Sequence, residues 1–92
     1  MRVYAITYDL NRPGQKYELL YQAIKNLGTH WHFMQNTWLV CTALSAAEVR
    51  DHLARYVDSN DKLFVAKVTE AAWQGFDDNG NRWIKQQVEA AA

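Results

Sequence analysis

The amino-acid sequence predicts a small α+β domain with the element order strand, helix, strand, strand, helix, strand. Two observations predict this class. Short runs rich in Val, Tyr, Trp and Phe, which favour strands, alternate with longer stretches whose apolar residues recur at helical spacing. The chain has 92 residues, which is enough for one domain with a thin core.

A short turn connects the first predicted strand to the first predicted helix, and Asp9 lies just before this turn. The strand is predicted over residues 2 to 10, and apolar side chains on both of its faces are typical of a central strand. It delivers Asp9 just before the turn Asn11-Arg12-Pro13-Gly14. Helix 1 is predicted from Pro13 to Leu27, since Pro is well tolerated at a helix start.

The middle of the chain predicts a β-hairpin. Trp31–Gln35 and Thr37–Ala43 are rich in residues that favour strands, and they leave only Gln35-Asn36 for the connection. One long bent strand is the alternative interpretation.

A second helix and a last strand complete the order. Ser45 and Glu48 have the spacing of a capping box, so helix 2 begins there and runs to about Val57. Lys62–Thr69 is predicted to be the last strand. This order is that of the ferredoxin-like fold, an antiparallel sheet with two helices on one face.

Residues 70 to 92 form an aromatic C-terminal extension of this single domain. We expect it to pack on the open sheet face or on a partner subunit, because its large rings are too apolar to remain in water. The polar run Asp77–Asn81 predicts a loop, and Arg82–Glu89 a short helix. The large rings are Trp73, Phe76 and Trp83.

Composition limits the class of protein and its compartment. The formal net charge is zero, which disfavours strong non-specific binding of nucleic acid but allows a local basic patch. The single cysteine, Cys41, has no internal disulfide partner, and no apolar run reaches the ~20 residues of a membrane span. We therefore expect a cytoplasmic protein that does not enter a membrane.

The aromatic content predicts a homodimer. Four Trp, five Tyr and three Phe are many for a chain of this length, and surplus aromatic surface often lies in a subunit interface. The alternative is that these rings simply enlarge a small core.

Asp9 is the first candidate for a functional residue. A strand that ends in an acid and then turns into a helix places that acid at the rim of the sheet, where small domains often bind ligands. Asp9 as a cap or turn residue is the alternative.

Two short motifs resemble those of a known superfamily. Tyr8-Asp9 closes the first strand, and Gln35-Asn36-Thr37-Trp38-Leu39-Val40 forms a later one. Together with the Pro-containing turn, these motifs resemble those of the superfamily that contains the small CRISPR-associated adaptation protein, the partner of the integrase, and virulence-associated protein D. The resemblance covers roughly residues 1 to 70, and a stand-alone relative fits it better than a CRISPR role.

The resemblance implies a ferredoxin-like dimer that acts as a metal-dependent endoribonuclease, or only clamps nucleic acid. Asp9 would be the catalytic residue and the ligand of Mg²⁺ or Mn²⁺, paired across the two-fold axis. Such ions are commonly held by one or two carboxylates plus phosphate oxygens. Thr37 stands where Ser is usual. In place of a second acid or a basic pair, the turn carries Asn11 and Arg12.

Four residues around Asp9 are candidate substrate contacts. The guanidinium of Arg12 suits a phosphate, although an exposed turn residue is the alternative. Asn11 either orients the turn or caps helix 1. The complete set of substrate contacts is Tyr8, Asn11, Arg12 and Thr37.

The histidines and aromatic residues support other hypotheses. His30 and His32 share one face of a strand, which suits a transition metal, acid–base chemistry or the pocket of a small-ligand enzyme, as well as a plain surface position. Strand aromatics also serve as stacking platforms for bases, with core packing as the alternative. The candidate platforms are Tyr4, Tyr8, Trp31, Trp38 and Trp73.

Overall fold

The computed structural model describes residues 1–11 and 17–91 and confirms the α+β class. The elements are β1 (Arg2–Asp9), α1 (Tyr17–Lys25), β2 (Thr29–Met34), β3 (Thr37–Thr42), α2 (Ala46–Ala54), β4 (Lys62–Lys67) and α3 (Asp78–Ala91). The predicted start of helix 1 lies outside the described residues. Within 1–11 and 17–91, no helix combines the length and apolar character that crossing a membrane requires.

The four strands form one antiparallel sheet in the order β2-β3-β1-β4. β1 is central, with β3 on one side and β4 on the other. The hairpin between β2 and β3 is confirmed, since only Gln35 and Asn36 connect the two strands. Its register shifts between Trp31 and Met34, as at a β-bulge.

One face of the sheet is covered by α1 and α2. Side chains from β1 and β3 are fully or almost fully buried against both helices, which forms the larger core. The capping box of α2 is confirmed: Glu48 N donates to Ser45 Oγ at 3.2 Å, and Ser45 N donates to Glu48 Oε1 at 2.9 Å. The sheet residues of this core are Tyr4, Ile6, Tyr8, Trp38 and Val40.

The opposite face of the sheet is covered by the C-terminal extension of the same chain. Ile84 and Val88 of α3 are buried against Val3, Leu39 and Cys41 of the sheet. A second set of rings surrounds this core and is only partly buried. These rings are Trp31, Phe33, Trp73, Phe76 and Trp83.

The predicted loop at residues 77–81 is wrong, because α3 already begins at Asp78. Asp77 caps the helix: its Oδ1 accepts the N–H of Gly80 at 2.8 Å, and its carbonyl accepts that of Asn81 at 2.9 Å. Gly80 is buried, and a Cβ at this position would overlap the ring of Trp31. The turn-like composition therefore belongs to a capped helix start that packs tightly on β2.

We predict that Gly80→Ala lowers the free energy of unfolding, measured by urea denaturation. The added methyl group meets Trp31, which stacks on Phe33 and contacts Phe76 edge-on, so the ring has little room to move. Overpacking typically costs about 1–3 kcal/mol, against about 1 kcal/mol of helix propensity gained on replacing Gly.

The control is Asn79→Ala, an exposed position in the same helical turn, which should not destabilise the protein. Equal stability of Gly80→Ala and the wild type would show that the close packing on Trp31 is not a constraint.

Candidate functional site at the end of β1

Asp9 is the last residue of β1 and is exposed next to the edge strand β4. It lies opposite Lys62 in the strand register. No hydrogen bond or ion pair engages its carboxylate within the part of the chain that the structure describes. An open depression of about 350 Å³ surrounds it, lined by Thr7, Tyr8, Asp9, Lys62, Leu63 and Phe64.

A different acid, Asp61, organises the neighbouring turns. Its Oδ1 accepts the backbone N–H of Asn11 at 2.7 Å and the hydroxyl of Tyr17 at 3.1 Å, and its Oδ2 accepts the N–H of Asp58 at 2.8 Å. An Asp at the start of a turn commonly accepts the N–H two residues on. Asp61 takes that N–H in place of Asp9, so the Asp9 carboxylate remains open to solvent.

Two hydroxyl groups lie on the same sheet face as Asp9. Thr7 and Thr37 are opposite each other in the register, with their Oγ1 atoms 3.1 Å apart, and Thr7 Oγ1 donates to the carbonyl of Asn36 at 3.2 Å. On the other side of Thr7, Phe64 is 63% exposed. This end of the sheet therefore presents a carboxylate, hydroxyls and an exposed ring.

Tyr8 points to the other face of the sheet and does not join this group. Its hydroxyl accepts the indole N–H of Trp38 at 3.0 Å and donates to the carbonyl of Gln35 at 3.4 Å. Burial raises the pKa of Tyr8 to about 12, although the bond from Trp38 opposes the shift. Tyr8, expected as a substrate contact, thus belongs to the core, as its alternation with Ile6 could have indicated.

The structure places the other predicted substrate contacts differently from one another. Asn11 is exposed, and its backbone N–H holds the turn to Asp61. Arg12 lies outside the described residues. The structure therefore places Thr37 on the same sheet face as Asp9, opposite Thr7. Around Asp9 it adds Thr7, Lys62 and Phe64, which the sequence had not singled out.

The donor set at Asp9 suits a hard divalent cation only in part. In the described ranges, no three His, Cys, Asp or Glu side chains converge as a metal site would require. Mg²⁺ is nevertheless commonly held by one or two carboxylates, waters and substrate phosphates. Asp9 fits as one such ligand, beside waters and a substrate phosphate.

His30 and His32 lie at a second place, a groove between α1 and β2. The groove has a volume of about 420 Å³ and is open to solvent, whereas a small-ligand enzyme of the kind considered above needs an enclosed cavity. Its lining residues are Glu18, Tyr21, Lys25, His30, Trp31, His32 and Trp38.

Comparison with known proteins adds information on the fold. No family model matches the sequence. The crystal structure of a hypothetical protein, TT1823 from Thermus thermophilus, is similar, with a TM-score of 0.65 and 19% sequence identity. The similarity covers 82% of this chain and 92% of that one. At this identity the likeness concerns the fold alone and supports the small α+β architecture.

We predict that Asp61→Ala lowers the free energy of unfolding by about 2 kcal/mol or more, because a hydrogen bond to a charged group contributes about 1.5–3 kcal/mol. Urea denaturation measures the change. Asp58→Ala is the matched control, since Asp58 is an exposed acid of the same turn that uses its backbone N–H in the network. Equal losses in the two variants would contradict the structural role of Asp61.

We predict that Tyr8→Phe destabilises the protein by about 1–3 kcal/mol at neutral pH, because it leaves the buried Trp38 N–H without its acceptor. The loss should shrink at high pH. In the unfolded chain the phenol ionises near its ordinary pKa of 10.0, but in the folded protein only near about 12. Its contribution is therefore complete below pH 10.0 and disappears as the pH rises through about 12.

Urea denaturation of both proteins from neutral pH to about pH 12 tests this dependence. A difference in stability that stays constant over that range would contradict the raised pKa.

Proposed function

We propose that the protein is a homodimeric, metal-dependent endoribonuclease in which Asp9 of each copy binds a divalent cation, Mg²⁺ or Mn²⁺. The observation that supports this most strongly is the exposed Asp9 carboxylate, whose usual partner in the turn is taken by Asp61. A strand-end acid that no hydrogen bond or ion pair engages among the described residues is available for a ligand.

The residues near Asp9 suit a phosphodiester substrate. The bound cation would polarise the phosphate and activate the water that attacks phosphorus, while the bridging oxygen leaves with a proton. Lys62, opposite Asp9, forms no ion pair with any residue that the structure describes, and it supplies a positive charge for a phosphate oxygen. Thr7 donates its hydroxyl hydrogen to the carbonyl of Asn36 and Thr37 donates to Thr7, so their oxygens remain as acceptors for a substrate hydroxyl.

The edge of the sheet supports a dimer that pairs the two Asp9 residues. β4 is an edge strand, so one side of its backbone is open to a second strand, and Phe64 on it is 63% exposed. β1 lies one strand spacing, about 5 Å, inside this edge. An interface along β4 would therefore bring Asp9 of both copies towards one site and supply the second carboxylate.

We further propose that the fold is ferredoxin-like and that the chain is a stand-alone relative of the CRISPR-adaptation and virulence-associated superfamily. The antiparallel order β2-β3-β1-β4 and the position of α1 and α2 on one face support the first part. The Tyr8-Asp9 strand end and the hairpin at Gln35-Asn36 support the second. A dimer that binds nucleic acid or another protein without cutting it is the alternative.

We predict that Asp9→Asn lowers RNA cleavage in the presence of Mg²⁺ or Mn²⁺ by more than about 100-fold. This exceeds the 10–100-fold loss typical of residues that only support a metal ligand. Cleavage of a labelled single-stranded RNA is measured with each metal and with a chelator, which should abolish it. Asp58→Asn, a nearby exposed acid, is the matched control and should cut like the wild type.

RNA cleavage by Asp9→Asn at the wild-type rate would contradict the nuclease proposal. If neither protein cuts RNA but both bind it, the protein is the non-catalytic dimer.

Sedimentation of Phe64→Asp tests the dimer interface: we expect a monomer that has lost activity, and a dimer as stable as the wild type would place the interface elsewhere.

A further inference from the structure

The groove between α1 and β2 contains a rigid aromatic stack. The ring of His32 lies parallel to that of Trp38, with centroids 3.9 Å apart and an angle of 7° between the planes. Trp38 is only 2% exposed and is fixed by its hydrogen bond to Tyr8. His32 Nε2 lies 3.1 Å from the carbonyl oxygen of Gln35, which fixes the outer ring as well.

His32 is the ring of this stack that reaches solvent. Of the rings expected as stacking platforms, Tyr4, Tyr8 and Trp38 are buried, so none of them can receive a base directly. Trp31 and Trp73 are partly buried against the second core, where the C-terminal extension covers the sheet. The exposed face of His32 therefore takes the place of the platforms that the sequence suggested.

The surroundings of this ring combine aromatic surface with a cation. Tyr21 lies beside it, with a distance of 6.3 Å between ring centroids. Lys25 lines the same groove, and no ion pair within residues 1–11 and 17–91 neutralises it. A flat ring beside a free ammonium group matches an unpaired base and its phosphate.

The groove and Asp9 lie at the same end of the sheet. The backbone N–H of Tyr8, next to Asp9, donates to the carbonyl of Asn36 in the turn that follows His32. β2 and β1 are two strand spacings apart, about 10 Å. A nucleic-acid strand crossing the Gln35-Asn36 turn would pass from His32 on the helix face to Asp9 on the other face.

We infer that this groove binds one unpaired nucleobase of a single-stranded nucleic acid, stacked on the exposed face of His32, with a neighbouring phosphate on Lys25. The inference rests on the proposed function, since it specifies how the substrate of Asp9 is held. It requires a single strand, because a base inside a duplex has no free face to stack on the ring.

The test is equilibrium binding of a fluorescent oligouridylate of about eight nucleotides, a length within the usual site size of ~4–16 nucleotides. Fluorescence anisotropy is measured in a chelating buffer, so that cleavage cannot occur. RNA and DNA versions show which sugar is preferred. A strand of the same length without bases, and a duplex, measure the contribution of the free base.

Two apolar substitutions of His32 distinguish stacking of a base on a flat ring from simple coverage of Trp38. His32→Leu covers Trp38 with an aliphatic chain, and His32→Phe covers it with a flat ring. We expect His32→Leu to weaken binding about fivefold or more, the lower end of what loss of one base–ring contact gives. His32→Phe should stay within about twofold of the wild type, because the flat face is retained.

His52→Leu is the matched control, since His52 is an exposed histidine on α2 outside this groove. It should bind like the wild type. For the strand without bases, His32→Leu and the wild type should bind equally weakly. Circular dichroism and urea denaturation of each variant confirm that it is folded.

Equal affinities of His32→Leu and His32→Phe for the oligouridylate would overturn the inference, as would absence of binding by the wild type. The substitution Asp9→Asn separates the failure of one proposal from the failure of the other. If the residue-32 substitutions change oligouridylate binding equally in the wild type and in Asp9→Asn, and the wild type does not cleave RNA, the groove proposal stands and the nuclease proposal fails. If cleavage depends on Asp9 but binding ignores residue 32, the nuclease stands and the groove fails.

Discussion

The central position of β1 is the constraint on which the rest of the structure depends. With β3 on one side, β4 on the other and helices on both faces, each residue of this strand has its direction fixed by the alternation of side chains. Tyr8 is therefore directed into the larger core and Asp9 to the opposite face. A shift of one residue would bury the carboxylate and expose the phenol, at a large cost in free energy.

The division of roles between Asp9 and Asp61 depends on a contact across the sequence. Both acids adjoin turns, and aspartate is a common cap or turn residue at either position. Asp61 accepts the N–H of Asn11, a residue 50 positions away, because the end of β1 and the start of β4 are adjacent in the sheet. One acid thus stabilises two turns, and the other remains available to a ligand.

Local signals predicted the parts of the fold that local interactions determine. The hairpin at Gln35-Asn36 and the capping box at Ser45 need only neighbouring residues, and both are present. The start of α3 was missed because Asp77–Asn81 has the composition of a turn as well as of a capped helix start, and the reason for a glycine inside the helix is its packing on Trp31 of another element. The roles of Asp61 and of the stacked ring of His32 were missed because each depends on a partner brought close by folding.

The cover over the second sheet face has a consequence for the synthesis of the chain. The four strands of the described sheet all precede α3 in the chain, so they are synthesised before the helix that buries Val3, Leu39 and Cys41. Until α3 arrives, the nascent domain presents an apolar surface and a thiol to the cell, the condition in which chains aggregate or bind chaperones. The helix that follows the strands in the chain is thus the one that ends this exposure.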